Sequence, residues 1–459
     1  MRIKLTLLLL VLSISVSAAD IVMPPYLQGL TAGTVYVLVE STNQDTVTIQ
    51  YGTGAGYGDS AATGGIVPTT GGTYVHSILL QGLTPGGTYH YRARQNGVYT
   101  ADSHFTAGEL PGTPFRLVWM ADCRTGSVIF DSVMAHIAST HPLMGLFGGD
   151  LDETGTYASW KAQFFRPGVV SFGSQVPWIN TPGNHEGWTT NTQAFTHAPA
   201  GATAQDYFSF DCGDLHVLVL DSQSSLTPGS AQSVFAEGDL SASRRTWKVV
   251  MIHIPAYCSG GHGENADIKA LTSAVFEKKG VDMLLTGHSH FYQHNLVNGI
   301  HHMVIGSAGA PLYDPVNAAY TLKSAKQYNW AVCDVAPSSL RLYVFNEIGQ
   351  PLDSLVLTKP AVAIGPRPAA QPREPYLEQN YPNPFNPATT IRYETSTPGV
   401  VRLSVYDQLG REVAVLVNGF ESAGQHSVTF EGAGLASGCY YYRLNAGNQT
   451  GQKMMVLLK

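Results

Sequence analysis

Hydrophobic positions change period several times along the chain, and each change marks a candidate boundary. Residues 5–16 form an apolar run led by Arg2 and Lys4 and followed by Ser17-Ala18-Ala19. A basic start, a short apolar core and a small-residue cleavage site predict a signal peptide over 1–19. That run is too short for a good membrane span. From 20 to 108, β-branched and aromatic runs recur at 34–40 (TVYVLVE), 46–51 (TVTIQY), 76–80 (HSILL) and 88–94 (TYHYRAR). Gly-rich turns separate them, which predicts a β-sandwich.

From Pro114 the runs become almost wholly apolar and end in polar residues: 115–122 (FRLVWMAD), 143–150 (LMGLFGGD), 178–186 (WINTPGNHE), 216–222 (HVLVLDS), 247–255 (WKVVMIHIP) and 281–290 (VDMLLTGHSH). Helix-period spacing over 128–138 and 266–278 falls between them. Buried strands alternating with helices predict an α/β domain over 114–358, a class that places its chemistry at the carboxyl ends of strands. Prolines at 360, 366, 368, 372 and 375 predict a stiff, extended linker over 359–375. Residues 376–459 read as a second small all-β unit, so the chain is multidomain.

Composition agrees with this division. A length of 459 residues suggests about three domains. Sparse charge (13%) with 48 Gly and 23 Tyr favours strands and turns over long surface helices. No later stretch approaches a transmembrane length. With 33 acidic residues against 26 basic ones, the net charge is −7, and loss of Arg2 and Lys4 with 1–19 makes it −9. That balance disfavours general nucleic-acid binding, which needs a basic face. The five cysteines (Cys123, Cys212, Cys258, Cys333, Cys439) include no CxxC pair, and their odd number leaves at least one outside any intramolecular disulfide. Most read as small buried hydrophobes.

The candidate chemistry lies where the apolar runs of 114–358 end. In chain order these ends carry Asp122, Gly149-Asp150, Gly183-Asn184-His185-Glu186, His253 and Gly287-His288-Ser289-His290. Seven of the sixteen histidines fall between His253 and His302. Carboxylate, carboxamide and imidazole together suit borderline and hard cations, and a carboxylate has two oxygens with which to bridge a pair of ions. Each piece alone is weak, because a lone strand-end histidine is more often structural. All five in this order point to a metal site.

This series resembles the calcineurin-like metallophosphoesterases, most of all their purple acid phosphatase branch, over about residues 24–358. Within 20–108, Pro25-Tyr26-Leu27-Gln28 and the hairpin Leu83 to Tyr91 are similar to the fibronectin type III-like N-terminal domain of that branch. The stretch Leu377 to Pro387 (LEQNYPNPFNP), residues 401–416 and the ending Lys453 to Lys459 resemble the C-terminal sorting domain of the type IX secretion system. The resemblance implies a four-layer α-β-β-α sandwich for the catalytic domain, with two metals about 3.5 Å apart. Asp122 and His290 would hold the first, Asp150 would bridge, and Asn184, His253 and His288 would hold the second. His185 would face the substrate phosphate. His262 and Glu264 resemble a substrate-side loop, with a solvated polar loop as the equal alternative.

The same resemblance implies a secreted or cell-surface phosphomonoesterase, exported through the periplasm and handled by the type IX machinery. It would act on small phosphate esters by attack of a metal-bound hydroxide. A phosphodiesterase or nucleotidase on the same site, and a lapsed surface-binding protein, are the alternatives. Iron paired with zinc, manganese or a second iron is the family's metal content. Two departures leave the pair open. Glu153 stands where the branch has the tyrosine responsible for its purple colour, and Arg124 stands where wider relatives have a histidine. Glu153 could replace the missing ligand, or the first metal could be weakly held. Arg124 could pair with Asp152 or Glu153, or fork onto phosphate oxygens.

Overall fold

The computed structural model describes residues 20–360, apart from 203, and most of 376–458. The expected signal peptide (1–19) and residues 361–375 of the expected linker lie outside the described residues. The chain divides into two compact units, up to residue 362 and from 363.

In the first unit each apolar run after residue 114 is a strand, but the strands stop short of the polar ends. They are Phe115–Met120, Met144–Phe147, Trp178–Asn180, Leu215–Val219, Trp247–Met251 and Met283–Thr286. Backbone conformation explains the early stop. Asp122, Asp150 and His288 have φ of 55°, 52° and 68°, a left-handed region outside the strand basin. The polar residues therefore stand in sharp turns just past the strands. The spacing over 128–138 is a helix, Ser127–Ser139. That over 266–278 runs from Ala266 to Lys279 with a wider turn in its middle, and it stops at Gly280, whose φ is 70°.

Two large sheets carry these strands. The first three pair in parallel within a ten-stranded sheet, and the last three lie parallel in a seven-stranded one. Leu117, Trp119 and Leu146 from one sheet share a buried core with Val217, Met251 and Leu285 from the other. Alternation turns Val118 and Phe147 the opposite way, against Phe130, Val133 and Ile137 of the helix Ser127–Ser139. On the second sheet Leu218, Val250 and Leu284 likewise pack against Leu240 and Leu271, which are helical.

The ten-stranded sheet does not end at the expected boundary near residue 108. Its order continues from Trp178–Asn180 to Tyr26–Gln28, Val35–Ser41, Tyr74–Leu80 and Gly65–Pro68, through a parallel pairing of Gln28 with Trp178. A five-stranded sheet that includes Thr48–Gly52 and Thr88–Gln95 covers this extension. The junction is polar as well as apolar. Glu40, fully buried, accepts from Tyr157 Oη at 2.7 Å, Lys161 Nζ at 2.7 Å and Thr73 Oγ1 at 2.8 Å. Such a carboxylate is tolerated inside only because every partner is present. Tyr157 and Lys161 follow closely on Asp150 and Glu153, so the sandwich braces the segment that leads away from the site.

The second unit places Ala388–Thr395 and Gly424–Glu431 in a three-stranded sheet, and Glu412–Glu421, Gly399–Tyr406, Gly438–Ala446 and Gln449–Leu457 in a four-stranded one. Ile391, Leu403, Tyr442 and Leu457 share its core. Its opening motif is fastened to its last strand: Phe385 N donates to Val456 O at 2.9 Å, and Val456 N to Asn383 Oδ1 at 2.8 Å. All five cysteines are free, four of them buried, as their reading as small hydrophobes expects.

Candidate metal centre

Two sheets whose parallel strands end side by side bring their turns together. The turn after Phe115–Met120 supplies Asp122, whose carboxylate accepts the His288 backbone N–H at 2.9 and 3.1 Å. The turn after Met144–Phe147 supplies Asp150, whose Oδ1 accepts the His185 backbone N–H at 3.1 Å. The loops touch so closely that a Cβ at Gly183 would run into Asp150, and one at Gly287 into Asp122. Glycine is required at both positions for that approach.

The histidines are aimed from behind. His253 Nδ1 donates to Gly148 O at 2.7 Å, and His290 Nδ1 to Pro311 O at 2.7 Å. In the neutral rings this leaves a lone pair on each Nε2. His253 Nε2 then faces Asn184 Oδ1 at 3.1 Å and Asp150 Oδ1 at 3.3 Å, so with a neutral ring three lone-pair atoms converge. Asp122, Asp150 and His290 each offer a ligand atom within 4.8 Å of the other two. Converging nitrogen and oxygen lone pairs, with imidazoles oriented by backbone carbonyls, fit divalent cations. Asp122, Asp150 and His290 could hold one ion, and Asn184, His253 and His288 could hold another that shares Asp150.

Electrostatics follow from burial and crowding. Burial raises the Asp122 carboxyl above its ordinary range. Burial also acts to raise Asp150, but His253, the His185 backbone N–H, the His185 ring and Arg124 outweigh it, and Asp150 lies below the ordinary range. His288 is pushed down to about 3 by burial, with His253 and His262 adding to it. A neutral imidazole is the form that binds metal.

Most of the residues singled out from the sequence meet here. His185 Nδ1 donates to Glu153 O at 3.0 Å, leaving Nε2 3.8 Å from Asp150 Oδ2. His262 stacks on His288 with ring centroids 4.3 Å apart. Arg124 pairs with Glu153, one of the two expected acids, and faces the centre as well. Its Nη1 donates to Glu153 Oε2 at 2.6 Å and its Nε to Asp150 Oδ2 at 3.3 Å. Glu264 is held by Lys269 Nζ and the Tyr320 hydroxyl instead, so the loop carries His262 to the centre and ties its carboxylate elsewhere. Two residues of the site carry roles that the sequence did not assign. Glu186 is buried, and its Oε1 accepts Gly183 N at 2.9 Å, so it shapes the turn that holds Asn184; its place within GNHE was the signal. Tyr313 stacks on His290 at 4.3 Å and meets His262 edge-on at 5.3 Å. No local pattern marks it.

Comparison with known proteins agrees with this geometry. Residues 100–292 match the calcineurin-like phosphoesterase family, and residues 379–457 match the secretion system C-terminal sorting domain. Purple acid phosphatase 22 of Arabidopsis thaliana is 28% identical over 270 residues, covering 53% of this chain and 60% of the relative. Probable purple acid phosphatase 20 of the same plant is 26% identical over 239 residues, 48% of this chain and 55% of the relative. The chain thus spans little more than half the length of these relatives. Among solved structures, purple acid phosphatase PPD1 from yellow lupin (Lupinus luteus) seeds superposes with a TM-score of 0.63 at 20% identity, over 73% of this chain and 74% of its own. PhoD gives 0.54 at 14% identity, over 87% and 93%. These two likenesses concern the fold. Residues 100–292 belong to the calcineurin-like metallophosphoesterases, with purple acid phosphatases among their homologues, and residues 379–457 are a secretion-system C-terminal sorting domain.

Proposed function

We propose that the first unit hydrolyses phosphate monoesters at a dinuclear centre built from Asp122, Asp150, Asn184, His253, His288 and His290. The observation that carries this reading is the meeting of His253 Nε2, Asn184 Oδ1 and Asp150 Oδ1 within 3.3 Å, a set of lone pairs that a divalent cation would reconcile. When bound, two metal ions supply charge neutralisation for a phosphate dianion and lower the pKa of water.

The chain's own residues do the rest. Asp150 offers one oxygen to each half of the site. The carbonyls of Gly148 and Pro311 hold the His253 and His290 rings in the tautomer that faces inward. His185, half-buried and anchored through Nδ1, presents its other nitrogen beside Asp150, where it would hold a proton against a phosphate or leaving-group oxygen. His262 and Tyr313 form an aromatic rim on the substrate side. In the same proposal, residues 20–108 brace the catalytic domain of residues 114–358, which is a four-layer α-β-β-α sandwich. The C-terminal unit addresses the protein to type IX export and the cell surface.

The test is His253→Ala in the full chain, assayed on an aryl phosphate monoester and the matching diester. Loss of monoester hydrolysis by more than about 100-fold is expected, with the fold retained by circular dichroism. Undiminished hydrolysis would remove His253 from the centre, and a preference for the diester would replace the monoester assignment.

A further inference from the structure

One half of the site already contains a cation, and the chain supplies it. Arg124 is only 8% exposed. Its three guanidinium nitrogens point at Asp150 Oδ2 (3.3 Å from Nε), Glu153 Oε2 (2.6 Å from Nη1) and His290 Nε2 (3.5 Å from Nη2). Because His290 Nδ1 is used by Pro311 O, Nε2 is that ring's only lone pair, and Arg124 takes it. Asp150 and His290 are two of the three residues that could hold the first ion. The other half contacts Asp150 through Oδ1, where Asn184 and His253 meet, and among the described residues no arginine or lysine is paired with that oxygen.

The backbone keeps Arg124 in this place. Thr125 has a φ of 63°, Gly126 N donates to Arg124 O at 2.8 Å, and Gly126 lies so close to the Gly309 carbonyl that no Cβ fits between them. A guanidinium stays protonated and cannot ligate a metal, while like charges a few ångströms apart repel.

We propose that Arg124 is a built-in competitor for the first metal ion. The Asn184–His253–His288 half binds its ion tightly. The Asp122–Asp150–His290 half binds weakly, until Arg124 and Glu153 move off together. This rests on the dinuclear reading above, and the experiment separates the two. The metal-free full chain is titrated with Mn²⁺ by equilibrium dialysis, and ions per chain are counted.

The wild type is expected to bind one ion tightly and a second at least about tenfold more weakly. Arg124→Gly and Arg124→Gln should strengthen the second step about tenfold or more, so that two ions survive dialysis, while Arg124→Lys keeps the wild-type pattern. Asn184→Ala should remove the tight step and Asp122→Asn the weak one. Two equally tight ions in the wild type, or an unchanged second step in both neutral variants, would overturn the role of Arg124. Loss of the tight step in Asp122→Asn would do the same. Absence of any tight ion in the wild type would instead overturn the metal centre itself, and the Arg124 proposal with it.

Discussion

Two groups of histidines lie within fifty residues of one another, and only one of them turns its rings towards converging carboxylates. At the centre, His253 and His290 each give Nδ1 to a backbone carbonyl and turn Nε2 towards carboxylates. On the strands Tyr292–Val297 and Ile300–Ile305 the pattern is different. His294 uses Nδ1 on Asp353 at 3.1 Å and Nε2 on His301 at 2.8 Å, so no lone pair is left over. His302 is buried against Tyr257 and, among the described residues, neither of its ring nitrogens has a hydrogen-bond partner. Residue type is the same in both groups. What makes a ligand is the anchor behind the ring and the company in front of it.

Substitution can break this contrast. His288→Ala should lower monoester hydrolysis by more than about 100-fold, because first-contact ligands matter at least as much as the groups that orient them. His294→Ala should leave the rate per folded molecule within about twofold, since it only severs a structural relay to Asp353. Comparable losses in both variants would erase the distinction between the groups.

A smaller effect is expected at His302. Burial, with help from His301, pushes this imidazole down to about 3 from the ordinary 6.5. Below the ordinary value the unfolded chain takes up a proton that folded His302 refuses, so stability falls as pH drops from 6.5 towards 3. His302→Leu removes both the unpartnered nitrogens and that acid sensitivity. It should stabilise the fold by about 1 kcal/mol near neutral pH, with a larger gain in acid, read from denaturant midpoints across pH. A destabilised variant whose pH profile is unchanged would show that the ring has a partner after all.

Much of the site was legible in the sequence because strand ends are local. An apolar run that stops at Asp122, Asp150 or His253 announces both the strand and its terminus, and the helix periods at 128–138 and 266–278 are equally local. Positive φ at Asp122, Asp150 and His288 has no such signature, so the strands were read a few residues too long. Pairings between distant segments were also hidden. Gln28 beside Trp178 joins stretches 150 residues apart, and no periodicity in either one foretells that the sandwich and the catalytic strands share a sheet. Tyr313 and the carbonyl of Pro311 escape for the same reason, since their roles exist only once His290 is in place. Arg124 was visible as an anomaly two residues past Asp122. That it reaches Asp150, Glu153 and His290 together is a fact of three dimensions.

The central claim, that this cluster is a metal-dependent phosphoesterase centre, is tested most directly by removing and restoring the metal. The purified full chain is assayed on an aryl phosphate monoester before chelation, after chelation and dialysis, and after Mn²⁺ or Zn²⁺ is returned, with metal content measured at each stage. Hydrolysis is expected to fall with the bound metal and to return with it in the wild type, but not in His253→Ala. Full hydrolysis by the metal-free chain, or equal recovery in His253→Ala, would contradict it.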